Sequence, residues 1–289
     1  MRNILFRFML VAVVLPALYA AVVFLPGHGH AVFIAVVVGA CAGCGAELAS
    51  FFKRKGIRAE AFLFAFLSAL PPALLWGARR VFADNPQAAG TAFLSGLGLV
   101  LLAVLAPFAL SSRQDQTADA LPRAAARVFP LLYPGLMAVS LVVIADCGEA
   151  STTLLLWFAM LVLGNDSMAW AVGMVLGRHR GVVPVSPNKS LEGFAGAYAG
   201  SLAAAFLGPK LFPAQLLGSP WRLLILGLVV GTAAVAGDLF ESALKRSAGM
   251  KDSGRTIPGR GGVLDSFDSI IFAAPVFLAA IDLLGLVRG

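Results

Sequence analysis

The stretch "TTLLLWFAMLVLGNDSMAWAVGMVL", residues 152–176, indicates the fold class of the protein. It contains a single charged residue, Asp166. A helix needs about 20 mostly apolar residues to cross the hydrocarbon core of a bilayer, and apolar runs of that length recur along the 289-residue chain. Only 13% of the residues are charged, which is far below the share typical of soluble domains. We therefore expect an all-α, polytopic integral membrane protein without a separate soluble domain.

The apolar runs predict about nine transmembrane helices. The first run follows Arg2 and Arg7 as in a signal peptide, but it is long, and we expect it to stay as a first transmembrane helix. Gly164, Asn165 and Asp166 interrupt the sixth run. The predicted spans are roughly 4–25, 31–52, 59–76, 92–111, 128–145, 153–177, 193–212, 222–244 and 269–287.

Lysine and arginine are distributed unevenly between the two sides of these spans. With the N-terminus in the cytoplasm, 17 of the 22 cationic residues fall on the cytoplasmic side. This bias predicts a cytoplasmic (inner) membrane protein whose loops 178–192 and 245–268 face the cytoplasm. We attribute the net charge of +7 to this orientation and to anionic ligands, and we expect no nucleic-acid partner.

The unusual polar residues all lie after residue 164. Residues 1–150 are therefore predicted to form transmembrane scaffold helices. Residues 151–289 are predicted to form a catalytic region with cytoplasmic loops. Charged groups inside a bilayer are costly and are functional candidates by default, which draws attention to Asp166 and Asp238.

Carboxylates cluster around the loop 245–268. Asp238 and Glu241 are three residues apart, as are Asp265 and Asp268, so each pair shares one helix face. Such carboxylates repel one another unless a cation lies between them. Oxygen ligands suit Mg²⁺ or Ca²⁺, and Mg²⁺ commonly bridges carboxylates to substrate phosphates. This pattern predicts a site for a divalent cation, with Mg²⁺ favoured next to phosphates.

Cationic side chains and glycines surround these carboxylates. Lysine and arginine bind phosphate oxygens and stabilise developing charge, and the glycines of "PGRGG", residues 258–262, allow backbone N–H groups to approach an anion. The combination predicts a phosphoryl-transfer site. The cations are Lys245, Arg246, Lys251, Arg255 and Arg260.

Simpler interpretations exist for the individual residues. A basic loop is often only a topology signal, and Asp265 or Asp268 could complement a helix dipole. Asp238 could pair with Lys245 or with a neighbouring helix. In the loop "RHRGVVPVSPNKSLEG", residues 178–193, Ser190 could be a helix cap and Ser186 part of a turn. Alternatively, Lys189 could bind a phosphate.

The segment "SALKRSAGMKDSGRTIPGRGGVLDSFD", residues 242–268, resembles the C-terminal signature of phosphatidate cytidylyltransferases, the CDP-diacylglycerol synthases. That signature runs S-x-x-K-R, four residues, K-D, then P-G-H-G-G, two residues and D-R-x-D, and its spacing is kept here. "GNDSMAW" and "SPNKSLEG" resemble two upstream segments of the same family. The resemblance covers roughly residues 160–285, and the long signature is specific.

The resemblance implies that CTP and phosphatidate react, with Mg²⁺, to give CDP-diacylglycerol and pyrophosphate in a membrane enzyme that forms a homodimer. It implies metal-binding or catalytic roles for Asp238, Asp265 and Asp268, with Lys251 and Asp252 also placed in the catalytic set. It implies substrate-binding roles for Asn165, Asp166, Ser186, Lys189, Glu192, Lys245, Arg246 and Arg260.

Two positions depart from the signature. Arg260 replaces the histidine, and Ser266 replaces the arginine of D-R-x-D. We interpret the pair as compensation, in which a cation lost at 266 returns at 260. Alternatives are a CTP-dependent transferase acting on another phospholipid or polyprenyl lipid, a non-catalytic relative, and an ion-coupled transporter that uses Asp166 and Asp238.

Overall fold

The computed structural model of the protein describes residues 16–109, 119–257 and 261–288. Residues 16–23 are helical, and nine further α-helices follow. These are α1 (Gly27–Arg54), α2 (Ala61–Val81), α3 (Pro86–Ala109), α4 (Ala120–Pro130), α5 (Met137–Ala145), α6 (Ser151–Val175), α7 (Leu191–Leu211), α8 (Pro220–Ser247) and α9 (Leu264–Leu283). A π-helical segment, Leu131–Leu136, joins α4 to α5. The described residues contain only isolated β-bridges and no strand.

The all-α, polytopic membrane class is confirmed. Seven helical segments of the described chain are long and apolar enough to cross a membrane, with α4, the π-helical segment and α5 forming one of them. The seventh predicted span, 193–212, largely overlaps α7, which is not among these seven segments. Most of the first predicted span lies outside the described residues. Apolar side chains such as Leu99 and Leu102 of α3 are exposed, as expected for a helix that faces lipid.

Helix α6 confirms the sixth predicted span and runs without a break through Gly164, Asn165 and Asp166, which interrupt its apolar run. The buried Asn165 side chain explains how a polar residue is accommodated at this point. Its Nδ2 donates to the carbonyl oxygen of Ala197 in α7 at 3.0 Å and lies 3.4 Å from that of Gly231 in α8. A buried amide is stable when its hydrogens have acceptors, so Asn165 joins three helices.

Small residues bring α6 and α7 into close contact. A Cβ atom added at Gly200 would collide with the backbone carbonyl of Gly164, so only glycine fits there. Trp157 of α6 closes the other end of this contact, where its indole Nε1 donates to the Ala204 carbonyl at 3.1 Å. The α6–α7 pair therefore forms a rigid frame on which the polar side chains of both helices are mounted.

The Gly200→Leu substitution is expected to destabilise the protein by about 1–3 kcal/mol or more, because overpacking forces the two helices apart. The measurement is the thermal unfolding midpoint of purified protein in detergent. Gly98→Leu, on α3, is the matched control, since a Cβ at Gly98 meets no atom within 4 Å. Equal midpoints for the two variants would contradict this account of the α6–α7 contact.

Helices α8 and α9 also approach closely. A Cβ at Gly237 would lie 2.5 Å from the Asp268 carbonyl oxygen. Because Asp238 follows Gly237 on α8, this close contact places Asp238 near Asp268 of α9. Aromatic rings support the pair from the N-terminal half. Tyr133 stands edge-on to Phe240 of α8 and Phe272 of α9, with centroid distances of 5.2 and 5.7 Å. Edge-to-face rings favour this spacing.

Candidate active site

A cleft of about 530 Å³ opens between α6, α7, α8 and α9. Seven residues that the sequence analysis predicted as site residues line this cleft, although they are spread over more than 100 positions of the chain. These residues are Asn165, Asp166, Lys189, Asp238, Lys245, Asp265 and Asp268. The cleft also contains the apolar side chains of Trp170, Met174 and Phe194, so polar and apolar walls face one another in one cavity.

Two lysines neutralise carboxylates in the cleft. Lys189, at the end of the loop before α7, pairs with Asp238 of α8. Lys245 pairs with Glu241 one turn earlier on α8, and its Nζ lies 2.6 Å from Asp265 Oδ1. Asp238 therefore pairs with a neighbouring segment and not with Lys245. The Glu241 side chain is fully buried, and a polar group in such a place needs a partner, which Lys245 provides.

Asp265 is held in one orientation by the loop before it. Its Oδ2 accepts hydrogen bonds from Gly262 N at 2.7 Å and from Ser253 N at 3.0 Å, and it lies 2.9 Å from Ser253 Oγ. Gly261 has a φ of +115°, and a Cβ there would lie 2.5 Å from this oxygen. Glycine is required at that position because other residues rarely adopt this backbone conformation. Asp265 is thus positioned before any ligand arrives.

Asp268 lies one turn after Asp265 and is almost buried. Its Oδ1 accepts a hydrogen bond from Ser269 N at 2.7 Å, and the Ser269 hydroxyl donates to Asp166 Oδ1 at 3.3 Å. Ser269 therefore connects the α9 carboxylates to the α6 carboxylate. The sequence did not indicate this serine as part of the cleft, because a lone serine in an apolar helix is common.

The donor set in the cleft agrees in kind with Mg²⁺, since Asp238, Asp265 and Asp268 offer only carboxylate oxygens. In the described part of the chain, however, no three His, Cys, Asp or Glu side chains converge closely enough to hold a metal ion. Lys189 and Lys245 occupy positions against two of these carboxylates. The magnesium site stays a prediction.

Several predicted residues do not line the cleft. Ser186 lies in a turn whose carbonyl accepts from Lys189 N at 3.1 Å. The Arg246 guanidinium lies 3.3 Å from the Val185 carbonyl and 3.4 Å from that of Met250, so it joins the two loops. Lys251 and Asp252 are exposed on the second loop. Arg260 falls outside the described residues. The catalytic roles of Lys251 and Asp252 and the substrate-binding roles of the other three stay predictions.

Glu192 organises the loop before α7. Its carboxylate lies 2.6 Å from His179 Nδ1 and accepts from the backbone N–H groups of Arg178 and His179. The hydrogen bond with the His179 ring, together with the backbone N–H groups of Glu192 and His179, lowers the pKa of Glu192 to about 2. Ser190 next to it caps α7 by accepting from Gly193 N at 3.1 Å, which confirms the capping interpretation.

Two further residues escaped the sequence reasoning. Arg180 lines the cleft and donates to the carbonyls of Gly173 and Asn188. Glu47 of α1 receives hydrogen bonds from the loop that positions Asp265. A lone carboxylate within the apolar run of α1 was the available signal for Glu47, because charges at membrane depth are expensive.

The chain is similar to known proteins along most of its length. Residues 3–284 match the family model described as the cytidylyltransferase family. Phosphatidate cytidylyltransferase from Helicobacter pylori (strain ATCC 700392 / 26695) is 39% identical over 148 residues, which cover 51% of this chain and 53% of the relative.

Two other relatives show a similar extent of match. Phosphatidate cytidylyltransferase from Bacillus subtilis (strain 168) is 36% identical over 144 residues, covering 50% of this chain and 53% of the relative. The uncharacterized protein YnbB from Escherichia coli (strain K12) is 40% identical over 130 residues, covering 45% and 42%. The matches span about half the length of these relatives, whereas the family model covers nearly the whole chain. The protein therefore belongs to the cytidylyltransferase family.

Proposed function

We propose that the protein is a phosphatidate cytidylyltransferase, which transfers CMP from CTP to phosphatidate and releases pyrophosphate. The observation that carries the proposal is the cleft, in which Lys189 and Lys245 lie against the carboxylates of Asp238 and Asp265. The names of two of the relatives agree with this activity. The apolar wall next to the ionic wall suits a substrate with a charged head and apolar tails.

In the proposed reaction, a phosphate oxygen of phosphatidate forms a bond to the α-phosphorus of CTP. The bond from that phosphorus to the pyrophosphate oxygen breaks, and the pyrophosphate leaves with the electron pair. Lys189, Lys245 and Arg180 are proposed to bind phosphate oxygens and to hold the reactants in line. Phosphatidate is already ionised near neutral pH, so no general base is needed.

Magnesium is part of the proposal. Asp238, Asp265 and Asp268 would hold it once they lie closer together than they do in the structure, and it would offset the negative charge that accumulates between the two phosphate groups. In the structure, Lys189 and Lys245 neutralise the carboxylates of Asp238 and Asp265. We infer that both ammonium groups move from these carboxylates to the phosphates of CTP when it binds, while Mg²⁺ would neutralise the carboxylates in their place.

The lipid tails are proposed to lie along the apolar wall of the cleft. Trp170 is 67% exposed and Met174 is 59% exposed, although both line the cavity. Such side chains face lipid in a bilayer, so the cavity would open sideways to the membrane. We also propose that the protein lies in the inner membrane with the cleft loops in the cytoplasm, because of the uneven distribution of lysine and arginine. The resemblance to the family suggests that it forms a homodimer.

The test uses the purified protein in detergent with labelled CTP, phosphatidate and Mg²⁺. Label in the lipid phase that requires both phosphatidate and Mg²⁺ supports the proposal. Phosphorylated polyprenol and lipids with ether-linked isoprenoid tails serve as competing acceptors. Label in one of these, without label in phosphatidate, would assign the protein to another lipid. CTP binding without label in any lipid would overturn the assignment as an enzyme of this class.

Arg260→Ala is expected to lower kcat/KM for CTP about tenfold, the usual effect of losing one hydrogen bond to a charged group. The reason is the compensation between Arg260 and Ser266, which leaves one cation in this part of the signature. The double substitution Arg260→His with Ser266→Arg restores the family pattern and is expected to retain activity. Full activity of Arg260→Ala would contradict the compensation hypothesis.

A further inference from the structure

The carboxylate of Glu47 lies at the centre of the loop between α8 and α9. Glu47 belongs to α1 and is only 8% exposed. Its Oε1 accepts from Thr256 Oγ1 at 2.8 Å and from Val263 N at 2.9 Å. Its Oε2 accepts from Ser253 Oγ at 2.8 Å and from Leu264 N at 3.0 Å. Four donors on one buried carboxylate satisfy it fully.

The loop is shaped to receive this carboxylate. A Cβ at Gly254 would lie 2.5 Å from Glu47 Oε1, and a Cβ at Gly262 would overlap Oε2. Glycine at both positions therefore allows the backbone to wrap around a charge from another helix. The contact joins two parts of the chain that are more than 200 residues apart.

Glu47 also supplies a cap that α9 lacks. Val263, which precedes α9, has no side-chain cap, and the first N–H groups of a helix have no partner within it. Glu47 accepts two of these N–H groups, and its negative charge lies at the positive end of the helix dipole. Asp265 is the second residue of α9 and is fixed by the same interaction.

Ser253 connects Glu47 to Asp265. Its hydroxyl oxygen lies 2.8 Å from Glu47 Oε2 and 2.9 Å from Asp265 Oδ2. Its backbone N–H donates to the same Asp265 oxygen. If the loop moved away from Glu47, the donors that orient Asp265 would move with it. Lys245 would then lose its fixed position as well, because its ammonium group donates to Asp265.

We infer that Glu47 is the positioning residue that holds Asp265, and through it Lys245, in the geometry required for transfer. This inference rests on the proposed function. Glu47 does not line the cleft and touches no reacting group. Its part is to fix the loop from the opposite half of the chain, so that Asp265 is correctly placed when the phosphates enter.

The test compares Glu47→Gln with wild type by hydrogen exchange and by steady-state kinetics. The glutamine has the same shape, but it places an NH₂ group where two donors point, so the loop should loosen. We expect the amides of residues 253–264 to exchange about tenfold faster, with α6 and α7 unchanged. We expect kcat to fall at least about tenfold, while KM for CTP changes less than about threefold.

Two further variants keep the test decisive. Thr256→Val removes one of the four donors and should give a smaller change in the same direction, even if Glu47→Gln folds poorly. Glu60→Gln removes an exposed carboxylate at the start of α2 and should change neither readout. If Glu47→Gln and Thr256→Val both leave exchange or kcat unchanged, the inference is wrong.

Loss of thermal stability with an unchanged kcat per folded molecule would reduce Glu47 to a structural residue and overturn the inference. If the wild-type protein transfers no label to lipid, the proposed function fails separately. The exchange of residues 253–264 then decides alone whether Glu47 fixes this loop.

Discussion

Replacement of Asp265 by asparagine is expected to lower kcat for CMP transfer by roughly 10²–10³-fold, the scale for loss of one group that stabilises transition-state charge. The amide has the shape of the carboxylate, and its oxygen can still accept from Gly262 N and Ser253 N. The protein should therefore fold. The change removes the charge that balances Lys245 and that is proposed to bind Mg²⁺.

The measurement is the rate of label transfer from CTP to phosphatidate over a range of Mg²⁺ concentrations. Asp282→Asn is the matched control, because Asp282 is exposed near the C-terminal end of the same helix, away from the cleft. Asp265→Asn with wild-type kcat at saturating Mg²⁺ would remove Asp265 from the mechanism.

Replacement of Lys245 by methionine is expected to destabilise the protein by about 3–5 kcal/mol, the cost of leaving a buried ion without its partner. Lys245 separates two carboxylates, Glu241 with a fully buried side chain and Asp265 with a side chain that is 9% exposed. Without the ammonium group, the Asp265 carboxylate would lie in this buried place without its ion-pair partner. The thermal midpoint and the folded yield after purification both report the loss.

The double variant Lys245→Met with Asp265→Asn separates stability from activity. It removes the buried charge of each sign in the Lys245–Asp265 pair, so most of the lost stability should return. Activity should not return, because the proposed phosphate contact of Lys245 is still missing. Lys210→Met, at the exposed end of α7, is the control for loss of a lysine. A Lys245→Met protein as stable as wild type would contradict this account of the buried charges.

The sequence predicted the membrane class because span length and apolar composition are local properties. Residues 152–176 are long and apolar enough to indicate a transmembrane helix, and α6 forms there. The i,i+4 pairing of Glu241 with Lys245 could also be foreseen, since both lie on one helix. The signature spacing over residues 242–268 indicated the family, which the match over residues 3–284 shows.

Gly164, Asn165 and Asp166 interrupt the apolar run of the sixth predicted span, and how these polar residues are accommodated is a tertiary matter. Asn165 finds acceptors on two neighbouring helices, so the buried amide costs little. The seventh predicted span illustrates the same limit. α7 is not among the seven described segments whose length and composition indicate a membrane span, yet it packs through glycines against α6.

Apolar helices and the polar loops that carry the charged residues could be predicted from the amino-acid sequence alone, because both depend only on which residues are neighbours along the chain. Which opposite charges form ion pairs depends on the tertiary structure. Lys189 pairs with Asp238 and not with a residue of its own segment. Glu47 reaches a loop more than 200 residues away. Such contacts depend on how helices pack, and no local pattern encodes the distance between two side chains on different helices.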